Sequence, residues 1–342
     1  MKKLLALLLV LTVMFSMAAC NSGSTAPSEE PAPSEKSPVE NNSGIQREDV
    51  PSVIRWGSAS SGSAGYIIIT AFSDTISSYV TDFKSSSMST SGGTENMHLL
   101  ADKEIDFAQT TSSDLIKASE AIAPFDQKDI NIYQAVGYRT NANIIHVLKG
   151  SGIDSVDDLN GKKVAVGPAS GAVRQMAEDG FVGLKVSPEF VYGSWDECAE
   201  MLKSNQVVAV VFPIVGGFNM TSAVLQLTTT ADVTALTLTE EEAAAMVSTA
   251  SGVGVVDVPA GYMGTDLPAF YAQGYHNAVG VRPEVSEEVV YTVVKTLLEH
   301  EEELQKVSNN LQLLMPSIPV HPGAVKYYKE IGIWDDSYTI GD

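Results

Sequence analysis

Basic side chains are scarce in this sequence. Twenty-one Lys and Arg stand against 42 Asp and Glu, a net charge of −21 over 342 residues. A surface of that sign repels phosphate backbones, which excludes nucleic acid as a partner. Cysteine is nearly absent: Cys20 and Cys198 are too few for a disulfide framework. Past residue 20 no stretch stays apolar and uncharged for the roughly 20 residues a membrane span needs, so a polytopic membrane protein is excluded. Metal-binding patterns are missing as well. No His-Glu-x-x-His, paired-Cys or calcium-loop spacing occurs, and His98, His146, His276, His300 and His321 are scattered. No metal and no cofactor is expected. Apolar residues, in contrast, make up 44% of the chain, enough for a core, and the length favours two domains.

The N-terminus reads as an address. Met1-Lys2-Lys3 leads into an uncharged apolar run, Leu4 to Met17, followed by Ala18 and Ala19 before Cys20. The Met17-Ala18-Ala19-Cys20 end resembles the lipobox of bacterial lipoproteins, in which the cysteine becomes the lipidated first residue after cleavage. Residues 1–20 are therefore expected to be a lipoprotein signal with Cys20 as the lipidation site. Loss of Lys2 and Lys3 would take the net charge from −21 to −23. Residues 21–52, rich in Ser, Pro, Glu and Asn, lack the apolar surface that would offset ordering, and read as a tether between membrane and folded body.

From Val53 onward, β-rich runs alternate with helical patterns. Val53–Gly57, Ile105–Ala108, Ile132–Val136, Ile144–Leu148, Val164–Val166 and Val207–Phe212 read as strands, with a break at Gly137. Tyr66–Val80 and Ala172–Gly180 have helical spacing, and Ser286–Leu304 is the clearest amphipathic helix, with Ser286 as its N-cap. Strands separated by helices imply βαβ units and mostly parallel sheets.

In such sheets ligands bind beyond the carboxyl ends of strands. Four polar loops fall there: Ser58 to Gly65, Ser89 to Thr94, Gly167 to Gly171, and Thr110 to Ser113. Each offers hydroxyls and free N–H groups at a helix start, which suits a carboxylate or another small anion. Gly and Ser serve equally as ordinary turn and cap residues. The candidate ligand residues are Ser58, Ser60, Ser61, Gly62, Ser63 and Tyr66; Thr90, Ser91, Gly92 and Gly93; Thr110, Thr111 and Ser112; and Pro168, Ser170 and Gly171. A carboxylate also wants a guanidinium fork, for which Arg139, Arg174 and Arg282 are candidates and Arg174, just after Ser170-Gly171, is best placed. Tyr66 and Tyr262 could flank a ligand. His321 reads as structural, bonded to a backbone carbonyl at the Pro322-Gly323 turn. Cys198, beside Glu197, reads as a buried thiol of raised pKa.

Ile318-Pro319-Val320-His321-Pro322-Gly323-Ala324, continuing through Tyr327-Tyr328 to Glu330 and Gly332, is the most specific of several segments that together resemble the TAXI group of TRAP-transporter solute receptors. Trp56-Gly57-Ser58 through Tyr66, Thr90-Ser91-Gly92-Gly93-Thr94-Glu95-Asn96, Leu159-x-Gly161-Lys162 through Gly167, and Val258-Pro259-Ala260-Gly261-Tyr262 also match, in order, between about Val53 and Trp334. The family often has Gly-Ser-Gly-Thr where this chain has Ala169-Ser170-Gly171-Ala172. The resemblance implies an α/β, two-lobed periplasmic-binding-protein type II-like fold, with mixed sheets flanked by helices and a hinge between lobes. Lobe one is expected at 53–145 plus 251–342 and lobe two at 146–250. It implies a monomeric extracytoplasmic receptor, lipid-anchored, that binds a small-molecule solute and hands it to TRAP membrane permease subunits. Small carboxylates or amino acids are the implied ligands, glutamate and glutamine first.

Competing readings are a binding lipoprotein of an ABC importer, a hydrolase and an adhesive surface protein. Ser61-Gly62-Ser63-Ala64-Gly65 approaches the G-x-S-x-G nucleophile elbow, but Ser61 stands where the first glycine belongs. No catalysis is expected.

Overall fold

The computed structural model describes residues 50–342, apart from 127–128, 306–310 and 312–313. The signal, Cys20 and residues 21–49 of the tether lie outside the described residues. No helix among the described residues is long and apolar enough to cross a membrane.

The chain runs β1 (Val53–Gly57), α1 (Ala64–Tyr79), β2 (Lys84–Met88), α2 (Gly93–Ala101), β3 (Phe107–Thr111), α3 (Ser112–Ser119) and β4 (Tyr133–Leu148). Then come β5 (Lys163–Ala165), α4 (Ala172–Leu184), β6 (Glu189–Val191), α5 (Trp195–Lys203), β7 (Ala209–Ile214), α6 (Ser222–Thr230), β8 (Val233–Ala235) and α7 (Glu240–Val247). It returns through β9 (Val253–Val258) and β10 (Phe270–Val281), and ends with α8 (Glu287–Glu299), α9 (Glu301–Leu304) and α10 (Pro322–Glu330).

The strands form one sheet in the order β2-β1-β3-β10-β4-β7-β5-β6, with β8 on β4 and β9 on β10. The sheet is mixed, not mostly parallel. β1 pairs parallel with β2 and β3, and β5 with β6 and β7. Every pairing of β4 and β10 is antiparallel. The reason is the chain path: it crosses the sheet once on β4 and returns on β10, so the two must run in opposite directions. The break predicted at Gly137 is absent, and β4 runs through it for 16 residues. Register shifts against β10 absorb the irregularity there, between Asn277 and Ala278 and between Val279 and Gly280.

Helices cover both faces. α1, α8 and α10 bury Phe72, Val293, Leu297 and Tyr328 with Trp56, Phe107 and Tyr138 of β1, β3 and β4, while α2 and α3 bury Met97, Leu100 and Leu115 with Ala108 and Ala278 of β3 and β10. Further along, α5 and α6 pack on β4 and β7 through Leu202, Val224 and Phe212, and α4 and α7 on β5 and β7 through Phe181, Met246 and Val211. Helix starts follow their caps. Ser286 accepts the Val289 N–H at 3.4 Å and opens α8, as its sequence predicts, and Ser194 forms a capping box with Glu197 on α5. Such caps contribute about 1 kcal/mol each. The predicted Ser286–Leu304 helix is interrupted at His300, whose ring stacks on Tyr79 with centroids 3.6 Å apart.

His321 is the N-cap of α10: its Nδ1 accepts the Gly323 N–H at 3.2 Å. The ring thus caps the helix through one nitrogen, while the Pro283 and Val285 backbone groups act on it as the expected carbonyl partners. Cys198 is fully buried, and burial, with a smaller push from Glu197, raises its pKa to about 11. Arg282 is committed to the core frame. It bonds Asp106 at 2.5 Å and the Ile105 carbonyl at 2.9 Å, and Asp106 in turn accepts the Arg55 N–H at 2.8 Å.

Candidate functional site

Three βα turns on one half of the sheet and three on the other face a common cavity of about 360 Å³. On the first side it is lined by the β1–α1 loop (Ser60, Ser61, Gly62 and Ser63), the β2–α2 loop (Ser91, Gly92 and Gly93) and Thr111 at the end of β3. Facing them are the β5–α4 loop (Pro168 and Gly171), the start of α5 (Ser194, Trp195 and Asp196), and the β7–α6 segment with Thr221 and Ser222. Tyr275 and Asn277 of β10 line it from the strand that joins both halves.

Helix starts dominate this lining. The N-caps of α2 (Gly92), α4 (Gly171) and α6 (Thr221) make no side-chain cap bond, so their first-turn N–H groups are not used up by a cap. On α1 the Ser63 hydroxyl caps the Tyr66 N–H at 3.2 Å. Positive helix ends from several directions favour negative charge in the space between them.

The remaining predicted hydroxyls stand behind the cavity wall and hold the loops in place. Ser58 donates to the Met88 carbonyl at 2.6 Å, and Thr90 donates to the Ser58 carbonyl at 3.0 Å. The buried Asn96 amide donates to the Ser58 and Gln109 carbonyls at 2.7 and 2.8 Å, so the first two loops form one unit. Thr110 donates to Ala278, and Ser112 to the Gly252 carbonyl, tying β3 and α3 to β10 and β9. Tyr66 and Ser170 are not among the lining residues. Tyr262 is buried and not among the lining residues; its hydroxyl shares a 2.9 Å hydrogen bond with His146 Nε2. Arg174 is not in the lining either. It pairs with Glu178 at 2.8 Å along its own helix and lies 5.9 Å from the Tyr192 ring centroid.

A model of the NMT1-like family matches residues 56–332. The chain belongs to the NMT1-like family. No curated protein matches it. Among solved structures, XAC2383 from Xanthomonas citri in a chloride-bound form aligns with a TM-score of 0.51 at 12% identity, over 82% of this chain and 96% of that one. Its ATP-bound form gives 0.50 at 13%, with the same coverage. The periplasmic aliphatic sulphonate binding protein SsuA from Escherichia coli aligns at 0.44 and 14%, over 75% of this chain and 72% of that one. The likeness to XAC2383 is one of fold, a mixed sheet flanked by helices.

Two glycines in this NMT1-like chain let backbone or ring reach the cavity. A Cβ on Gly65 would fall 1.9 Å from Gln109 Oε1, so glycine allows the first turn of α1 to sit over that side chain. Gly167 has φ +83°, and a Cβ there would lie 2.3 Å from the Trp195 ring that lines the opposite wall.

Residues the sequence reading missed include Gln109, Trp195, Asp196, Thr221, Ser222, Tyr275 and Asn277. Thr221 carried a usable signal, a cap residue following a strand, as in the loops that were found. Tyr275 and Asn277 carried none, because they lie within a strand and reach the cavity through the antiparallel return of β10. Beside them, Asn141 donates to Asn277 Oδ1. Next to the cavity, Asp114 accepts from the Thr111 and Thr94 hydroxyls at 2.6 and 2.9 Å. Burial raises its pKa and the two hydroxyls oppose the rise. Among the described residues lining the cavity there is no histidine, cysteine, lysine or arginine, and one carboxylate, Asp196. A serine there has no histidine or lysine in the lining to activate it. Among the described residues no three His, Cys, Asp or Glu side chains cluster to hold a metal.

Proposed function

We propose that this protein is an extracytoplasmic solute receptor of a TRAP-type carrier, of the TAXI kind, tethered by a lipid on Cys20. It binds a small carboxylate or amino acid and releases it unchanged. Residues 53–145 plus 251–342 act as one lobe and 146–250 as the other, hinged on β4 and β10, with the cavity between them. The observation that carries this reading is the convergence of uncapped helix starts and serine hydroxyls from both halves of the sheet on one cavity whose lining lacks a nucleophile–base pair. Family membership supports it, as does the likeness of the fold to XAC2383, which has been solved with chloride and with ATP bound. Delivery to an ABC permease uses the same fold and anchor, and reconstitution with each kind of permease separates the two.

A screen of amino acids and organic acids tests the binding step. A solute at 100-fold its Kd stabilises the native state by about 2.7 kcal/mol, a readily measured thermal shift. Ser61 is exposed and lines the cavity. Ser61→Trp should therefore weaken binding at least tenfold by filling the space, with the melting temperature of the free protein within about 2 °C of native. Turnover of an ester with no solute-induced shift would overturn the receptor reading. For the anchor, detergent phase partition of the bacterially expressed chain should place the native protein in the detergent phase and Cys20→Ala in the aqueous phase. Equal partition of both would refute lipidation at Cys20.

A further inference from the structure

Of the three arginines near the strand-end loops, Arg174 and Arg282 are paired with Glu178 and Asp106. Arg139 is different. It lies in the middle of β4, is 6% exposed, and makes no ion pair with any described carboxylate. Its Nε is buried without a hydrogen-bond partner. Its guanidinium carbon lies 5.9 Å from the Tyr138 ring centroid, but a ring face offsets only part of the cost of burying a charge without a carboxylate, so its place needs a reason.

Its strand register supplies one. Arg139 is the cross-strand partner of Asn277, which lines the cavity. Paired residues on antiparallel strands project from the same face. Two positions along on that face, Asn141 donates its amide to Asn277 Oδ1, and Arg139 interacts electrostatically with Tyr275, the other β10 side chain of the lining. The acid of α3, Asp114, is bound to Thr94 and Thr111 and makes no ion pair with Arg139. A positive charge thus lies behind the cavity floor, on the side towards which the helix starts also present positive ends.

We propose that Arg139 is the charge-selecting residue of the site and that the solute it selects carries a negative group directed at the Tyr275–Asn277 floor. This rests on the receptor reading above. Arg139 acts through the floor as a positioning residue: its field aligns the anionic group, and the solute supplies the counter-charge that the fold does not. A neutral isostere of the same shape leaves the guanidinium uncompensated and binds more weakly.

Calorimetric titration of matched acid and amide pairs tests this, with L-glutamate against L-glutamine and succinate against succinamate as probes. For at least one pair the native protein should bind the acid at least tenfold more tightly than its amide. Arg139→Gln should bring that ratio to within about threefold of unity while changing the amide's affinity less than threefold, and Arg139→Lys should retain most of it. A purely structural role would move the melting temperature and leave the ratio alone, so Arg139→Met is melted in parallel. It should be at least as stable as native, because it removes an uncompensated buried charge. Equal affinity for acid and amide in the native protein, or an unchanged ratio in Arg139→Gln, overturns this inference alone. No binding by any probe overturns it together with the receptor reading.

Discussion

Acidification from pH 6.5 to pH 4 is expected to remove about 3 kcal/mol of folding stability through His146 alone. The ring is fully buried in β4, between the Ile144 carbonyl at 2.9 Å on Nδ1 and the Tyr262 hydroxyl at 2.9 Å on Nε2. The Ile144 carbonyl can only accept, so Nδ1 carries the ring proton; burial keeps the imidazole neutral, and Nε2 is then left to accept from Tyr262. Phe212 packs against it edge-on, with centroids 5.5 Å apart. Burial lowers the pKa from 6.5 to about 4, and the Ile144 carbonyl opposes this only in part. In the unfolded chain the same group takes up its proton near 6.5. Stability is therefore fully present above pH 6.5 and falls as the pH drops towards 4, because only the unfolded state gains the proton in that window. His276 and His321, also lowered by burial, act in the same sense, and Asp114, whose pKa is raised, acts in the opposite one. The measurement is accordingly a difference. Urea denaturation at pH 7, 5.5 and 4.5 should show a steeper acid loss for the native protein than for the His146→Leu, Tyr262→Phe double variant, which removes the ring and its partner together. Parallel slopes would refute the assignment.

Which features could be read from sequence follows a physical line. Local signals survived: Val53–Gly57 is a strand as its apolar pattern requires, Ser286 and Ser194 cap the helices they precede, and the Gly/Ser loops sit at strand ends facing one cavity. Each is set by residues within a few positions of one another. Long-range pairing was not legible. Gly137 reads as a break in isolation, yet it pairs with Ala278 of β10, which bonds β4 on both sides of it and holds the strand extended. The hydroxyls of Ser58, Thr90, Thr110 and Ser112 resemble those of Ser60, Ser61 and Ser91 in sequence. What separates them is whether a carbonyl from another strand lies within reach, as Met88, Ser58, Ala278 and Gly252 do for the first four. The same distinction reorders the arginines. Arg174 has the better position in the chain, but Glu178 one turn on claims it, while Arg139 looks like any strand residue until its lack of a carboxylate is known.

Asp179→Ala should cost about 2–3 kcal/mol, whereas Lys117→Met, at the other end of the same ion pair, should cost little or even stabilise. The Lys117 side chain is 6% exposed on α3, with Nζ 2.5 Å from Asp179 and 3.5 Å from Gln175 Oε1 on α4. Gln175 continues the contact by donating to the Thr94 hydroxyl at 3.1 Å, which itself donates to Asp114. Removing Asp179 leaves a buried ammonium with one weak amide hydrogen bond and only the more distant field of Asp114. The penalty is placed below the usual range for a broken buried pair, because the Asp179 side chain is 37% exposed and water already screens it. Removing Lys117 instead replaces a desolvated charge with a methionine of similar volume and leaves an aspartate that solvent reaches. Denaturant titration of the two variants gives both values, and equal losses would contradict the burial asymmetry. α3 and α4 belong to the two segments proposed as separate lobes, so this contact also bears on closure. Either substitution removes a link that favours the clasped arrangement, and the population competent to hold solute falls by the same factor as the apparent affinity. Both variants should therefore bind solute several-fold more weakly although their stabilities move differently. That combination distinguishes a clasp between moving halves from an ordinary core contact, for which binding would follow stability or not change at all.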